Sequence, residues 1–236
     1  MGDAGIECAV RLRTLVASHN ARISTVAPCA STLRVLGADG DCGDADCGID
    51  DRGLASATRL RALRASCNPR ISTVSPFGST LTDLDATGLS GIDDEGLVCA
   101  VRLRTLRASY NSSISSVAPF AATLRNLFAA GGLLAINDSL WGTPVCGIDD
   151  AALAQVTRLR FLDASGNPTI ASVAPFARRL RRLVARDECA IDDAALGLAT
   201  RLEAVDARGN DKLVATVARL SSRPDAQHHM DDDGPP

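Results

Sequence analysis

Pairs of adjacent aspartates are the feature of this 236-residue sequence that most suggests chemistry. Two neighbouring carboxylates can share acid and base roles or bind a divalent cation. The pairs recur in one repeated phrase, IDD: Asp50 and Asp51, Asp93 and Asp94, Asp149 and Asp150, Asp192 and Asp193. Helix capping explains them without chemistry, because an N-cap carboxylate accepts a hydrogen bond from a free amide and a second one favours the helix dipole. We therefore predict that each pair begins a short helix that ends at an arginine such as Arg59.

An acidic insertion at about residues 39–46 is the other candidate cation site. Its carboxylates belong to Asp39, Asp41, Asp44 and Asp46. Their spacing misses the DxDxDG pattern of a calcium loop, so a solvent-exposed loop is the better interpretation. The three histidines have no nucleophile or carboxylate beside them in a shared frame, and the chain has no GxSxG, HExxH or phosphate-binding motif. The sequence therefore predicts no enzyme, no metal and no cofactor.

Eight cysteines raise the question of disulfides or zinc. No CxxC pair occurs, which disfavours a structural zinc site. Most of the cysteines recur at equivalent positions about two strands, or about 9.5 Å, apart, whereas a disulfide needs Cα atoms within about 7 Å. We predict reduced thiols in an intracellular protein for Cys8, Cys29, Cys47, Cys99, Cys146 and Cys189. Cys42, in the acidic insertion, and Cys67, near the outer face of the predicted sheet, fall outside this argument.

The whole chain is built from a repeat. The block TRLRALRASCNPRISTVSPF at residue 58 returns as VRLRTLRASYNSSISSVAPF and again as TRLRFLDASGNPTIASVAPF. Odd units, which begin at Leu12, Leu60, Leu103, Leu159 and Leu202, alternate with even units, which begin at Leu33, Leu81, Leu124 and Leu180. Uninterrupted units are 21 or 22 residues long, and insertions at about 39–46 and 130–145 break the period. Such a period is typical of a solenoid.

The pattern inside each unit identifies the kind of solenoid. Odd units read LxxLxAxxNxxI and even units LxxLxAxxxCxI, with the period-two alternation of a half-exposed strand. This resembles the leucine-rich repeat, and the phrase CxIDDxGL resembles its cysteine-containing, ribonuclease-inhibitor-like members. The resemblance covers residues 1–220. It implies an α/β solenoid of about nine units, right-handed and curved, with a parallel sheet on the concave face and short helices and 3-10 turns on the convex face. Residues 221–236 are polar and predicted to be a disordered tail.

Alanine replaces a leucine of the usual repeat in every unit. The nine positions are Ala17, Ala38, Ala65, Ala86, Ala108, Ala129, Ala164, Ala185 and Ala207. Small side chains leave volume that a close-packed interior must fill. We predict that Phe77, Phe120 and Phe176, at one position of the odd return segments, fill it, with Cys29 and Leu220 at the equivalent place.

The aromatic residues outside this core mark a candidate binding surface. The chain has seven aromatics, and the four that are not core fillers fall in or beside three consecutive units. With the neighbouring charges they make the candidate partner-binding residues: Arg107, Tyr110, Phe128, Trp141, Phe161 and Asp163. The alternative is that the second insertion, with Leu133, Leu134 and Trp141, covers the two phenylalanines as a private core. Arg64, Asp85 and Arg107 alternate in sign along the same face and are expected to neutralise one another.

These features favour a non-enzymatic protein-interaction module that binds an unknown protein on its concave face and insertion loop. The resemblance also allows the substrate-recognition array of a ubiquitin-ligase-type adaptor, and a truncated repeat-family member without independent activity is a third interpretation. The net charge of −3 and the pI near 5.6 disfavour nucleic acid and anionic membranes as partners.

The N-terminal sequence carries two further expectations. It shows no basic region followed by an apolar run, and no stretch of the chain is long and apolar enough to span a bilayer, so we expect a cytoplasmic protein. Met1 aligns with Ile92, inside a return segment, and no capping element is visible before Leu12. End-to-end self-association through the uncapped N-terminus is therefore a possible partnership.

Overall fold

Nine short strands form one parallel sheet in the computed structural model, which describes residues 2–41, 47–132, 135–136, 139–140 and 146–222. The strands are β1 Thr14–Val16, β2 Val35–Gly37, β3 Ala62–Arg64, β4 Asp83–Asp85, β5 Thr105–Arg107, β6 Asn126–Phe128, β9 Phe161–Asp163, β10 Arg182–Val184 and β11 Ala204–Asp206. They pair in chain order, one strand from each unit. Between β6 and β9 the second insertion forms an antiparallel pair, β7 Ala135–Ile136 and β8 Ser139–Leu140, which the sequence did not predict. The predicted solenoid of nine units is confirmed.

The register of the sheet places equivalent residues side by side. The central leucine of each strand pairs with the central residue of the next, for example Leu84 with Leu106 and Leu127 with Leu162, and in β11 this residue is Val205. Because side chains alternate along a strand, these leucines point into the core and the residues on either side face outward. The outward-facing side of the nine strands is called the outer face below.

The predicted core is confirmed. Eight of the nine alanines are buried, and Ala207, in the last unit, packs against the core while partly exposed. The rings of Phe77, Phe120 and Phe176 are fully buried, as are Cys29 and Leu220 at the equivalent positions. Each buried phenylalanine contributes about 1.5 to 3 kcal/mol. Burial of these rings therefore stabilises the three odd units that carry them, and the prediction that they fill the volume left by the alanines stays a prediction.

The return segments behind the sheet are less helical than predicted. The helices are α1 Asp3–Ile6, α2 Asp51–Leu54, α3 Asp150–Leu153 and α4 Val214–Ser221. The prediction that the even-unit helices continue to Arg59 and its equivalents is wrong, and the segments that begin at Asp93 and Asp192 form turns. A helix advances only about 1.5 Å per residue, so a longer one would leave too little extended chain to reach the next strand. The predicted proline-bearing 3-10 turns are present at Ala27–Cys29 and Ala118–Phe120.

The last described unit ends in a helix and not in a repeat-like turn. Most of the segment NDKLVATVARL, at the end of the last odd unit, forms α4. Leu213 and Leu220 are buried beneath it, and Thr216 is buried with them. The sequence signal was the spacing of apolar residues along 213–220, which fits a helix facing the core. At the other end, α1 precedes β1 and buries Ile6. Within the described residues no helix is both long and apolar enough to cross a membrane.

Candidate functional site

Three of the predicted binding residues lie in one row across the outer face. Arg107 on β5 is in register with Phe128 on β6, and Phe128 is in register with Asp163 on β9. Phe161 begins β9 and pairs with Asn126. The long insertion leaves this register intact, because β6 and β9 pair directly. The sequence prediction that Phe128 and Phe161 project from neighbouring strands is therefore confirmed.

The two phenylalanines form a stacked pair that also holds an arginine. The ring centroids of Phe128 and Phe161 are 4.7 Å apart, and the ring planes are tilted by 42°. On the other side of Phe128, the guanidinium carbon of Arg107 lies 4.8 Å from the ring centroid. A tilted aromatic pair contributes about 0.5 to 1.5 kcal/mol beyond burial, and an exposed cation–π contact about 0.5 to 1 kcal/mol. These contacts fix the positions of side chains that face outward.

Asp163 completes a cluster that we call the aromatic site: Arg107, Phe128, Phe161 and Asp163. The carboxylate of Asp163 accepts a hydrogen bond of 3.0 Å from the backbone N–H of Ser165. All four residues are half-buried, so each still presents part of its side chain to solvent. The site therefore offers an apolar surface with a cation on one side and an anion on the other.

The other two predicted residues are not part of this cluster as described. Tyr110 lies beyond the end of β5 with a φ of +58°, and its backbone N–H donates to the carbonyl of Ala130. Left-handed φ values are costly for residues other than glycine, and Gly88 and Gly166 occupy the same position in other units. Trp141, with Leu133 and Leu134, lies outside the described residues. The private-core alternative therefore remains an untested prediction.

Similarities to known proteins are confined to the fold. In sequence, no protein-family model matches the chain, and no curated protein matches it. Among solved structures, an internalin (InlF) from Listeria monocytogenes superposes with a TM-score of 0.55 at 21% identity, over 79% of this chain and 52% of the internalin. This chain has a leucine-rich repeat fold. It spans about half the length of the InlF structure.

Two further internalins of Listeria monocytogenes are more distant. InlC2 matches with a TM-score of 0.47 and 22% identity over 71% of this chain and 70% of that protein. The functional domain of InlJ, described as including a cysteine ladder, matches with a TM-score of 0.41 and 18% identity over 89% of this chain and 51% of that protein. The leucine-rich repeat fold predicted from the repeat pattern is confirmed by the superposition with InlF.

The paired aspartates have two separate structural roles in this leucine-rich repeat. The first of each pair is a cap, as predicted: Asp50 accepts from the N–H of Gly53 and Asp149 from that of Ala152, both at 2.9 Å. The second does more than complement the helix dipole. Asp51 accepts hydrogen bonds from the backbone and hydroxyl of Ser72, 21 residues later, and so joins two consecutive repeats. Within the described residues, every hydrogen bond that these carboxylates accept serves the repeat.

The alternating charges on the outer face do not pair as predicted. The expectation that Arg64, Asp85 and Arg107 neutralise one another is wrong, since Arg107 lies over Phe128 and Arg64 pairs with Asp39 at 3.3 Å. Asp39 is only 9% exposed and also accepts from the hydroxyl of Ser18. A buried carboxylate needs hydrogen bonds and a cation, and the neighbouring strands supply them. Asp39 is therefore a structural residue, although its sequence position suggested a solvent loop.

No metal cluster is present in the described part of the chain, where no three histidine, cysteine, aspartate or glutamate side chains converge. In the acidic insertion, Asp41 contacts Nδ1 of His19 at 3.2 Å, and both side chains are exposed. Asp44 and Asp46 lie outside the described residues, as do His228, His229 and the tail from residue 223 onward. The prediction that this insertion is a solvent-exposed loop and not a cation site therefore stays a prediction.

The cysteines divide into a reduced set and one exception. The six predicted to be reduced carry thiol groups, and four of them are buried. Burial raises the pKa of the Cys146 thiol to about 11 and also raises the pKa values of Cys29 and Cys189, so these thiols stay protonated near neutral pH. Cys67 is disulfide-bonded, and Cys42 lies outside the described residues. A disulfide is typical of oxidising compartments, so it weighs against the cytoplasmic location expected from the sequence.

Sequence reasoning missed one charged cluster, at the last two strands. The carboxylate of Asp206 accepts from the guanidinium groups of both Arg186 and Arg208. The hydrogen bond from Arg208 is the main reason that the pKa of Asp206 lies well below its usual range. All three residues lie on the outer face or just beyond it, but their own charges are largely satisfied. This cluster therefore stabilises the end of the sheet and is a weaker binding candidate than the aromatic site.

Proposed function

We propose that this chain is a non-enzymatic protein-binding module whose partner docks on the outer face at the aromatic site. One observation carries the proposal: Phe128 and Phe161, 33 positions apart in sequence, stack on the solvent side of the sheet with Arg107 over one ring. A sheet core with this repeat needs no aromatic residue there. Half-exposed aromatics flanked by arginine are the residues that contribute most to protein interfaces.

The chemistry of the site limits the partner. The ring pair offers an apolar surface that a leucine, methionine or aromatic side chain of the partner would cover. The guanidinium group of Arg107 lies over the ring of Phe128 and makes no hydrogen bond within the described residues, so its N–H groups can bind a carboxylate. Asp163, in register on the far side of Phe128, favours a basic group at that position. We therefore expect an apolar anchor flanked by charges of both signs.

The test compares two double variants on the same face. Phe128→Ser with Phe161→Ser removes the ring pair, and Val16→Ser with Val35→Ser removes two exposed apolar side chains from β1 and β2. Val16 is 75% exposed and Val35 is 36% exposed, so the control also replaces outward-facing apolar residues. We expect affinity capture followed by mass spectrometry to lose the partner with the phenylalanine variant and retain it with the valine variant.

Stability measurements separate docking from a private core. Because the rings are half-exposed, the phenylalanine variant should lose about 2 to 4 kcal/mol of unfolding free energy, which is half the burial energy of two rings together with their mutual contact. A loss of more than about 6 kcal/mol would instead favour rings that are covered within the chain. Equal capture by both variants would overturn the aromatic site as the docking surface. Capture of ubiquitin-ligase components by the unmodified chain would favour the adaptor interpretation.

A further inference from the structure

A second charged surface lies along the edge where the strands begin. The residue just before the first strand position is arginine in seven of the nine units. Four of these arginines follow one another on neighbouring strands without a break: Arg104, Arg125, Arg160 and Arg181. Arg107, Phe128 and Asp163 of the aromatic site lie at the other ends of the strands, whereas Phe161 begins β9 and directly follows Arg160.

Backbone hydrogen bonds hold this row in a line. The N–H of Arg125 donates to the carbonyl of Arg104 at 2.8 Å, and the N–H of Arg160 donates to the carbonyl of Arg125 at 2.8 Å. The N–H of Arg181 continues the series to the carbonyl of Arg160 at 2.9 Å. Neighbouring parallel strands are about 4.8 Å apart. The positive charges are therefore placed at a regular interval along one edge of the sheet.

A second row of arginines runs beside the first. Each of its members stands two residues before a member of the first row, with a buried leucine between them. Arg102 precedes Arg104, Arg158 precedes Arg160, and Arg179 precedes Arg181. In the intervening unit Thr123 takes this place, and its hydroxyl donates to the carbonyl of Leu103 at 2.7 Å. We name the free part of the two rows the arginine ledge: Arg102, Arg104, Arg125, Arg158, Arg160 and Arg179.

The guanidinium groups of the ledge have no acidic partner. Within the described residues, no carboxylate lies within 4.0 Å of any of the six, and none donates a side-chain hydrogen bond. By contrast, Arg181 pairs with Glu203 and Arg186 with Asp206. Five of the six ledge arginines are exposed and Arg125 is half-buried. Like charges held this close repel one another, so the ledge is suited to an anion supplied from outside.

The net charge of the chain hides this arrangement. The paired aspartates stand at the beginning of each even return segment, whereas Arg102 and Arg158 stand at the end, beside the strand starts. Acidic and basic groups are thus separated within each repeat, although the formal charge sums to −3. The negative net charge of the chain therefore does not disfavour an anionic partner at this edge. A shallow cleft of about 340 Å³, lined by Arg178, Arg179 and Thr157, adjoins the ledge.

We propose that the arginine ledge binds a linear sulfated polysaccharide. Lys212 is the only lysine among the 25 basic residues, and arginine binds oxyanions through two parallel N–H groups where lysine cannot. The ledge runs along one edge of the sheet, which matches an extended anionic chain. One ring, Phe161, directly follows Arg160 but already contacts Phe128, so no series of rings accompanies the arginines on which the successive bases of single-stranded nucleic acid would stack. The disulfide at Cys67 fits the extracytoplasmic compartments where such polysaccharides occur.

The test uses heparin fragments long enough to span four strands, with binding measured by calorimetry at several NaCl concentrations. The ledge variant is Arg104→Ser, Arg125→Ser and Arg160→Ser. The matched control is Arg22→Ser, Arg52→Ser and Arg219→Ser, three exposed arginines away from the ledge, which changes the net charge by the same amount. We expect the ledge variant to bind at least about tenfold more weakly, with a salt dependence reduced by about two in slope. The control should change affinity by less than about threefold.

A lysine variant and a desulfated ligand provide two further tests of the proposal. Lysine at the same three ledge positions preserves the charge and the solubility, and we expect it to weaken binding by about threefold because the paired N–H groups are lost. If circular dichroism shows that the serine variant does not fold, the lysine variant replaces it in the comparison. Desulfated heparin should not bind. Equal loss in the control variant, or single-stranded DNA binding as tightly as heparin, would overturn the proposal.

Discussion

Asp94 and Ser115 join two consecutive repeats through one carboxylate. Oδ1 of Asp94 accepts from the backbone N–H of Ser115 at 2.9 Å, and Oδ2 accepts from its hydroxyl at 2.6 Å. The N–H of Ser116 adds a third hydrogen bond at 2.8 Å. The same contact over 21 to 23 residues recurs from the equivalent carboxylates: Asp3, Asp51, Asp150 and Asp193. The second aspartate of each pair is thus a clamp between return segments.

Replacing Asp94 by alanine should destabilise the chain by about 2 kcal/mol, because three hydrogen bonds to a charged acceptor are lost and the freed amides must find water. Urea unfolding followed by circular dichroism would measure the change. Glu95→Ala is the matched control, since Glu95 is the exposed next residue and its side chain has no hydrogen bond among the described residues. A similar loss in both variants would show that the clamp adds nothing beyond surface charge.

The clamp illustrates what the sequence could and could not predict. A repeat fixes register, so the strands, the alanine positions and the buried phenylalanines were all predictable from the spacing of leucines. Capping by Asp93 was predictable too, because its partner, the N–H of Gly96, is three residues away. The partner of Asp94 is one repeat away, and its identity depends on how closely return segments stack. Local sequence carries no such distance, and the same reason hid the ion pair between Asp39 and Arg64.

The repeat predicted which strands carry the residues of the aromatic site, but it did not predict all of their contacts. Equivalent positions on β6 and β9 had to be neighbours once the insertion was recognised as an interruption between units. The sequence could not predict whether the Arg107 side chain would contact Asp85 or Phe128. Each of these contacts is worth about 1 kcal/mol or less. Side-chain geometry, which the repeat does not encode, therefore decides between them.

Buried asparagines form a second set of links between repeats. Nδ2 of Asn111 donates to the carbonyls of Ala86 at 2.8 Å and Ile92 at 3.4 Å, and Asn111 is 2% exposed. Asn111→Ala would leave two buried carbonyls without a donor, and we expect a loss of about 2 to 3 kcal/mol in urea unfolding. Asn126→Ala is the control, because that side chain is half-buried on the outer face and donates to the hydroxyl of Thr105. It should cost less than about 1 kcal/mol, and the reverse order would contradict the prediction.

Thiol labelling should separate the free cysteines into two classes. Cys8 and Cys99 are exposed, whereas Cys146 is buried with its pKa raised to about 11, so little of it is thiolate at pH 8. We expect maleimide at pH 8 to modify the exposed pair at least about a hundredfold faster than Cys146 in the folded chain. Peptide mapping by mass spectrometry would assign each site, and labelling in denaturant provides the fully reactive reference. Rapid modification of Cys146 without denaturant would mean that its unit is not packed as described.

Acid should loosen the C-terminal end of the solenoid through Asp193. A hydrogen bond from the hydroxyl of Thr216 is the main reason that the pKa of Asp193 lies below its ordinary value of 3.8. The folded state therefore binds the proton less readily than the unfolded state does. The stabilisation is complete above about pH 4 and is lost as the pH falls through the lowered folded value. We expect Asp193→Asn to be less stable than the original chain at pH 7, with the difference shrinking as the pH falls below 3.8.

Hydrogen exchange would locate this loss. Asp193 accepts from the amides of Ala215 and Thr216, at the beginning of α4, so exchange should increase there before it increases in β4 and β5. Glu188→Gln is the control, because it removes an exposed carboxylate from the same unit whose side chain makes no hydrogen bond within the described residues. That variant should keep the pH dependence of the original chain. If Asp193→Asn left exchange at Ala215 and Thr216 unchanged at pH 7, the carboxylate would not be holding α4 against the preceding repeat.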